Sequence, residues 1–337
     1  MTSASPPVVP LAAADDTFGG TPLKVLFIGG LGRSGSTLVE LLLNELAETA
    51  SVGETIHLWE RGVVNNERCA CGEAFHDCPH WTAVGQRAFG GWAAVDVDEL
   101  IRLRWRIDRS RRLPAIARRH LSGPLGTTLD DGERHYLRHL RLVLQASAEV
   151  AGHPSVLLES SKHLSTAALL ALDPAIDLRV LHLVRDPRGV AHSWTKTVER
   201  PETATADGAE MMPRYRPSRT AFRWMTDNLG FEALAWVAPT LLLRYEDALS
   251  HPTQTMRDVA DLCGLDRDRL DLGFIAGNRA NVSAPMHSVA GNPMRFGGRD
   301  LTLRLDDAWR RRMRRRRRLL VTATTAPLLK AYGYPLR

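Results

Sequence analysis

The stretch from Gly30 to Thr37, GLGRSGST, has the residue types that can hold a phosphate-like anion. Its glycines have the spacing of the G-x-x-x-x-G-K-[ST] loop, but Ser36 stands at the position of the usual lysine. An apolar run, KVLFIGG, precedes the loop, and an amphipathic helical pattern follows it at once. Backbone N–H groups of such a loop and of the following helix N-terminus bind anions through hydrogen bonds and the helix dipole. The stretch therefore predicts a site for a phosphate or sulfate ester.

Two features of this loop argue against ATP-dependent chemistry, because the lysine is missing and an arginine, Arg33, has been added. A kinase also needs an acidic residue that holds magnesium, commonly at the end of a hydrophobic strand. Glu159, Asp186 and Asp247 meet that need by position only. We therefore expect a transfer that requires no metal, and we keep a P-loop small-molecule or nucleotide kinase as the alternative.

The elements that must position this loop are strands and helices in alternation. Near-continuous apolar runs, typical of strands buried on both faces, begin at Lys24, Ser155, Leu178 and Pro239. Helical patterns follow them, and one is expected to start at Ser250 as its N-cap and to end at Gly264. This alternation predicts an α/β fold, a doubly wound parallel sheet of about four to five strands flanked by helices, which binds ligands at the carboxyl ends of its strands.

Residues 21–337 are expected to form a single domain. The first 20 residues lack a basic start and an apolar core, so they predict a disordered leader rather than a secretory signal. Segment 60–150 has little strand character and several basic helical patterns, which predict a helical insertion that shapes an acceptor pocket. Residues 196–219 are polar and interrupted by prolines, as is typical of a lid loop beside a site.

Composition and charge limit the classes of protein. The chain is 44% hydrophobic and 24% charged, as an ordinary globular protein is. Apolar runs in the sequence stay well short of the ~20 residues that span a bilayer. We therefore expect a cytoplasmic protein without stable membrane insertion.

The net charge of +6 favours anionic partners, and much of it lies in the arginine-rich stretch WRRRMRRRRRLL, which starts at Trp309. Base-stacking surfaces interleave aromatic residues with the basic ones, and this stretch does not. It predicts a solvated helix that buries Trp309, Met313 and Leu320, with Asp306 and Asp307 at its start. A nucleic-acid partner is not expected, although a non-catalytic anion or nucleic-acid binding protein is kept as an alternative of another class.

Three cysteines, Cys69, Cys71 and Cys78, lie close together in the stretch RCACGEAFHDCPHW. With His76 and His80 they offer enough ligands for tetrahedral zinc. The C-x-C start is tighter than the usual C-x2-C, and a second pair does not follow, so free thiols or a small disulfide loop are favoured over a metal.

The sequence resembles sulfotransferases that use 3′-phosphoadenosine 5′-phosphosulfate (PAPS). GRSGSTLVELL resembles their 5′-phosphosulfate loop, in which a basic residue precedes Ser-Gly. LHLVRDPRGVAHSW is similar to their 3′-phosphate motif, with Arg185 at a strand end and Ser193 eight positions later. The stretches LLESSKH, LLLRYEDALSHP and HSVAGNPMRFGGR extend the resemblance over about Lys24 to Trp309.

The resemblance implies transfer of a sulfuryl group from PAPS to a hydroxyl of a small molecule or carbohydrate, with release of 3′,5′-ADP and no need for a metal. It implies that the 5′-phosphosulfate is bound by Arg33, Ser34, Gly35, Ser36 and Thr37. It assigns the 3′-phosphate to Arg185 and Ser193, with Arg295, Gly297, Gly298 and Arg299 closing over it. The acceptor and the oligomeric state, a homo-oligomer included, are left open.

Transfer in line with the departing phosphate also needs a base for the acceptor hydroxyl. Glu54 resembles the catalytic glutamate of tyrosylprotein and several bacterial sulfotransferases, and His163 resembles the catalytic histidine of the cytosolic type. The match of His163 is offset by one residue, which on an extended segment turns a side chain to the other face. Glu54 is therefore preferred, with His163 open and His57 third, while Arg33 and Lys162 are expected to stabilise the transferring sulfuryl group and the leaving phosphate.

Overall fold

The computed structural model describes Leu11 and residues 20–121, 129–203 and 209–336. The predicted leader over residues 1–20 therefore lies almost wholly outside the described residues. Among the described residues, no helix has both the length and the apolarity needed to cross a bilayer.

Five parallel strands form the central sheet: β1 (Leu23–Gly29), β2 (Thr49–Gly53), β3 (Val156–Lys162), β4 (Ile176–Val184) and β5 (Thr240–Arg244). Their order across the sheet is β2-β3-β1-β4-β5. Side chains of the central strand alternate between two cores, with Val25 and Phe27 on one face and Leu26 and Ile28 on the other. Both faces are covered, so the predicted doubly wound parallel sheet is confirmed.

The α-helices lie between the strands of this sheet in the chain or come after its last strand, β5. Their bounds are α1 (Ser36–Leu43), α2 (Pro79–Phe89), α3 (Val97–Ile107), α4 (Leu113–Leu121), α5 (Asp131–Val150), α6 (Leu164–Leu170), α7 (Pro187–Ser193), α8 (Pro217–Leu234), α9 (Tyr245–Ser250), α10 (Pro252–Cys263), α11 (Trp309–Arg312) and α12 (Arg315–Ala331). A second, antiparallel sheet, which the sequence did not predict, consists of β6 (Ile275–Ala276), β7 (Arg279–Asn281) and β8 (Asp300–Thr302).

The predicted helical insertion lies between β2 and β3. Its described residues form a π-helical turn over Leu58–Val64 and the helices α2 to α5. Asp130 and Glu133 form a reciprocal capping box that starts α5. Trp81 and Tyr136 of the insertion belong to the same core as Phe27 of β1, so the insertion packs directly on one face of the sheet.

The predicted N-cap of the helix that ends at Gly264 is wrong. Ser250 is the last residue of α9, and α10 begins at Pro252 after His251, whose side chain does not cap the helix. Proline drives the residue before it out of the helical region, and His251 has φ −134° and ψ 59°. Gly264 ends α10 in a left-handed conformation at φ 66°, as predicted.

The arginine-rich stretch is helical, as predicted, but it is not one helix. Met313 is extended, and it separates α11 from α12. Trp309 and Met313 are buried, as expected, whereas Leu320 is 47% exposed and Val321 is buried instead. Because Met313 is extended, the helical repeat that starts at Trp309 is interrupted there. The residues after Met313 therefore do not fall on the face that this repeat predicts.

Candidate functional site

The carboxyl ends of the five parallel strands meet at one edge of the sheet, and the main candidate residues lie there. Each strand contributes one element: the loop Gly30–Thr37, which we call the anion loop, follows β1, Glu54 follows β2, Lys162 ends β3, Arg185 follows β4 and Tyr245 follows β5. Ligands of open parallel sheets bind at this edge. The fold thus gathers residues from distant parts of the sequence.

The loop after β1 has a backbone that requires glycine at two positions. Gly30 has φ 128°, and a Cβ there would lie 2.3 Å from the carbonyl oxygen of Leu183. Gly35 has φ 95°, and a Cβ there would lie 2.3 Å from the ring of Tyr245. The loop therefore packs against the ends of β4 and β5 more closely than any side chain would permit.

The predicted 5′-phosphosulfate residues surround the start of α1. Ser36 and Thr37 are its first two residues and are buried, and Ser34 donates from Oγ to the carbonyl oxygen of Leu31 at 2.6 Å. Within the described part of the chain, no side chain caps this helix. Its first N–H groups and the positive end of its dipole therefore suit an anion.

Arg33 lies between the loop and the segment predicted as a lid. It has φ 77°, its guanidinium lies 5.1 Å from the centre of the Trp194 ring, and Nη2 lies 2.7 Å from Sδ of Met212. Burial lowers the pKa of Arg33, whereas the charge of the nearby Glu54 carboxylate raises it. Met212 belongs to the predicted lid segment 196–219, of which residues 204–208 lie outside the described residues.

Glu54 and Lys162 form an ion pair in which Nζ of Lys162 donates to Oε1 of Glu54. Lys162 Nζ also donates to the carbonyl oxygen of Ser160 at 3.0 Å. His57 Nε2 lies 3.6 Å from the other carboxylate oxygen of Glu54. The preferred base is thus held in direct contact with a residue expected to stabilise the departing group.

Glu159 hydrogen-bonds to the chain neighbours of both members of this pair. Its carboxylate accepts hydrogen bonds from Thr55 N at 3.1 Å, from Thr55 Oγ1 at 2.7 Å and from Ser161 N at 3.1 Å. Thr55 and Ser161 are the chain neighbours of Glu54 and Lys162. Burial raises the pKa of Glu159 to about 7, although these hydrogen bonds act to lower it. Glu159 therefore links the backbone beside Glu54 to the backbone beside Lys162, and its position in the sequence gave no signal of these contacts.

The other carboxylates considered for magnesium are also engaged in contacts. Asp186 accepts from Arg188 Nη2 at 2.7 Å and from its Nε at 2.9 Å, and both residues are buried. Asp247 lies 3.4 Å from Arg244 Nε at the surface. Glu159 and Asp186 are thus engaged in buried hydrogen bonds, whereas Asp247 lies at the surface in an ion pair.

His163 precedes α6, and its ring lies 6.4 Å from that of His57 in an edge-to-face arrangement. Burial, with the charges of Arg104 and Arg223, lowers the pKa of His163 to about 3. Burial likewise lowers the pKa of His57 well below its usual value. A ring with so low a pKa holds a proton weakly, which disfavours His163 as a base.

Arg185 joins the anion loop to the end of β4. Its Nη1 donates to the carbonyl oxygen of Arg33 at 3.1 Å, its Nη2 donates to the carbonyl oxygen of Asp306 at 2.9 Å, and its guanidinium lies 4.6 Å from the centre of the Tyr245 ring. Ser193, its predicted partner, is half-buried at the end of α7. The observed partner of Arg185 was not predicted: Oδ2 of Asp306 lies 3.4 Å from Nη2.

Asp306 contacts a second cation, since Nζ of Lys196 donates to its Oδ2 at 3.0 Å. Burial opposes ionisation of Asp306, but the hydrogen bond and charge of Lys196 and the charge of Arg185 lower its pKa. A carboxylate thus lies against Arg185, where the sequence predicts a phosphate, and against the neighbouring Lys196. Asp306 comes from an irregular segment before α11, where local pattern gives no signal for such a contact.

The loop expected to close over the 3′-phosphate is only partly directed at the site. Arg295 is wholly buried, and its Nη2 lies 3.5 Å from Oε2 of Glu202. Gly297, Gly298 and Arg299 are exposed. Their contact with a phosphate stays a prediction.

Upstream of Arg295, the same segment does reach the site. The backbone N–H of Asn292 lies 3.4 Å from Oγ1 of Thr37. A Cβ on Gly291 would lie 3.3 Å from Oε1 of Glu54. The segment therefore passes directly over the start of the anion loop helix and over the preferred base.

Comparison with known proteins gives a consistent result. The model of the Sulfotransferase family matches residues 26–269. The chain is similar to carbohydrate sulfotransferase 3 of Homo sapiens, with 28% identity over 181 residues, which are 50% of this chain and 36% of that protein. It is also similar to carbohydrate sulfotransferase 7 of Mus musculus, with 28% identity over 227 residues, 56% of this chain and 46% of that protein. The chain thus spans less than half the length of these curated relatives.

Solved structures give a more distant likeness. The sulfotransferase domain of the olefin synthase from Synechococcus PCC 7002 aligns over 94% of this chain and 97% of its own, with 17% identity and a TM-score of 0.41. A sulfotransferase from Alicyclobacillus acidocaldarius aligns over 94% of this chain and 97% of its own, with 14% identity and a TM-score of 0.38. Because the family match covers well over half of the residues, including the anion loop, Glu54, Lys162 and Arg185, this chain belongs to the sulfotransferase family.

Proposed function

We propose that this chain transfers a sulfuryl group from PAPS to a hydroxyl of a small molecule or carbohydrate and releases 3′,5′-ADP. One observation carries the proposal. The anion loop with the uncapped N-terminus of α1, the Glu54–Lys162 pair and Arg185 all lie at one edge of the sheet. The carbohydrate acceptor is supported by the named relatives, which match about half of this chain.

In this proposal Glu54 takes the proton of the acceptor hydroxyl as that oxygen attacks sulfur. Its carboxylate must then lie about 2.6–3.2 Å from the hydroxyl oxygen. Protonation of Glu54 removes the negative partner of Lys162, with which it is paired. The ammonium group is thereby freed to stabilise the charge that develops on the departing phosphate oxygen.

Arg33 and the first N–H groups of α1 supply the remaining stabilisation. The loop holds these N–H groups in place before any ligand binds, because its glycines fix its backbone against β4 and β5. Preorganised donors stabilise developing charge without a cost of reorganisation during the reaction. We therefore assign Ser34, Gly35, Ser36 and Thr37 to the 5′-phosphosulfate and Arg185 with Ser193 to the 3′-phosphate.

The acceptor is proposed to enter between the helical insertion and the segment after α7. Arg104 and Arg109 of the insertion are close enough to His163 to influence its pKa. Met212 of the predicted lid contacts Arg33 from the other side. The insertion thus lies beside His163 and the predicted lid beside the proposed sulfuryl-binding arginine, and the acceptor would enter between them.

The test is a thermal shift of the purified chain with 3′,5′-ADP, with ADP, and with ATP and magnesium. We expect stabilisation by 3′,5′-ADP alone, by about 2.7 kcal/mol at a hundredfold its Kd. Arg185→Ala should weaken that binding by roughly 10- to 100-fold, because a charge-assisted contact to the 3′-phosphate is lost.

Arg179→Ala is the matched control for that variant, since Arg179 lies on the same strand and pairs with Asp177 away from the site. It should leave nucleotide affinity unchanged. A response to ATP with magnesium only would contradict the proposal and favour the kinase.

Asp306→Asn is expected to tighten binding of 3′,5′-ADP by roughly two- to fivefold, since it removes a half-exposed negative charge from two cations that the phosphate would use. Isothermal titration at low salt would measure the difference. Asp307→Asn is the control, because Asp307 is adjacent but contacts only Arg311 among the ion pairs of the described residues. Weaker binding by Asp306→Asn would show instead that Asp306 positions Arg185.

A further inference from the structure

A cluster of four metal-ligating side chains lies outside the proposed catalytic residues. Cys69, Cys71 and Cys78 come from the loop before α2, and His287 comes from the segment between β7 and β8. Their sulfur and nitrogen atoms all lie within 4.8 Å of one another. The two parts of the chain that supply them are separated by about 210 residues, so the fold and not the local motif assembles the cluster.

Three of the six separations within the cluster are close to those of a tetrahedron around one ion. Sγ of Cys71 lies 3.6 Å from Sγ of Cys78, and Nδ1 of His287 lies 3.3 Å from Sγ of Cys78 and 3.8 Å from Sγ of Cys69. Zinc bonds of about 2.3 Å to sulfur and about 2.0–2.1 Å to nitrogen place two sulfurs about 3.8 Å apart and a sulfur about 3.5 Å from the nitrogen.

Two of the three cysteines, Cys69 and Cys78, are buried. Charged sulfurs in buried positions need a counter-ion. A divalent cation held between the three sulfurs would neutralise them.

The histidines within the cysteine motif are not the missing ligands. Nε2 of His76 lies 3.0 Å from the carbonyl oxygen of Val63, and the ring of His80 stacks on that of His287 at 4.5 Å. The fourth side chain of the cluster is His287, in the stretch that otherwise belongs to the predicted cofactor loop. A disulfide would use only two of the three sulfurs. It would not account for the third thiol and the imidazole of His287, which lie in the same cluster.

We infer that Cys69, Cys71, Cys78 and His287 bind one structural zinc ion, with three thiolate ligands and one imidazole. Four protein ligands close the coordination sphere, so the ion takes part in no reaction. Soft thiolates with one imidazole in a tetrahedron favour zinc over magnesium or calcium, which prefer oxygen. The thiols release their protons as the ion binds.

The zinc ion would fix the position of the segment 287–292, which covers the site. Next to His287, the carbonyl oxygen of Ser288 accepts from Ala70 N at 3.0 Å, and Ser288 packs against Gly53, the residue before Glu54. Beyond it, the backbone N–H of Asn292 lies against Thr37, and Gly291 lies so close to Glu54 that an added Cβ would be 3.3 Å from Oε1 of Glu54. Zinc therefore holds this segment against the base and the anion loop, a consequence that rests on the function proposed above, whereas the metal site itself does not.

The first experiment measures metal in the untagged chain, expressed with added zinc and purified under reducing conditions. We expect about one zinc per chain, and cobalt exchanged into the site should give thiolate-to-cobalt charge-transfer absorption. Cys71→Ser should lose the zinc and the cobalt band, because it removes one of four ligands at an exposed position. His76→Gln, in the same loop but outside the cluster, should keep both.

A chelator provides the second readout, because it should lower the melting temperature of the wild-type chain and of His76→Gln but leave that of Cys71→Ser unchanged. Metal content and the cobalt spectrum of the wild-type chain decide the matter even where Cys71→Ser fails to fold. Well below one zinc per chain with no cobalt band, or a Cys71–Cys78 disulfide in the reduced preparation, would overturn the inference. Both readouts are taken without nucleotide, so their outcome does not depend on the result of the thermal shift with 3′,5′-ADP.

Discussion

Glu54→Gln is expected to lower turnover by roughly 10²–10⁴-fold, because the amide cannot accept the proton of the acceptor hydroxyl. Glutamine keeps the size of the side chain and can still accept from Lys162 Nζ, which lies against Oε1 in the wild-type chain. The affinity for 3′,5′-ADP should therefore change by less than about threefold, since that ligand lacks the reacting group. Turnover with PAPS and isothermal titration with 3′,5′-ADP measure the two effects separately.

The same assay separates the two candidate bases. His163→Ala should lower turnover by less than about tenfold, because its ring has a pKa of about 3 and holds a proton weakly. Its titration would also lie below the pH range of the assay, so the pH profile between 5 and 9 should keep its shape in this variant. Near-normal turnover of Glu54→Gln together with a large loss in His163→Ala would reverse the assignment.

The parts of the fold that the sequence predicted are those with a strong local pattern. The four apolar runs became β1, β3, β4 and β5. In β1, β3 and β4 the run is apolar because both faces of the strand are covered, whereas β5 is an edge strand in which Leu242 is 43% exposed. The edge strand β2, TASVG, was not identified as a strand, since its small and polar residues lack that pattern. It pairs with β3 on one side only, and tertiary packing rather than local propensity makes it a strand.

The candidate site divides in the same way. The anion loop and Arg185 have fixed spacings next to a strand end, so the sequence alone located them. Asp306 and His287 meet their partners through contacts between segments more than 100 residues apart, for which a local motif carries no information. Glu159 is the intermediate case, because its place on a strand was visible but its hydrogen bonds to Thr55 and Ser161 were not.

Arg33→Ala is expected to lower turnover by roughly 10²–10³-fold, the usual effect of removing one preorganised donor from developing charge. Arg33 has a left-handed backbone at φ 77°, and alanine has the same backbone preference there as arginine, so the loop should keep its shape. Because 3′,5′-ADP lacks the sulfuryl group, its affinity should fall much less than turnover does. Arg33→Lys should restore part of the activity, since lysine keeps the charge but loses the planar fork.

Met212→Leu is the control that separates the chemistry of Arg33 from its contact with the predicted lid. Leucine keeps the volume of Met212 but removes the sulfur that lies 2.7 Å from Nη2 of Arg33. If the guanidinium acts on the transferring sulfuryl group, Met212→Leu should change turnover by less than about threefold. If its main task is to hold the lid, Met212→Leu and Arg33→Ala should show similar losses. Equal losses of turnover and of 3′,5′-ADP affinity in Arg33→Ala would point instead to a collapsed loop, which would withdraw the assignment of Arg33 to the sulfuryl group.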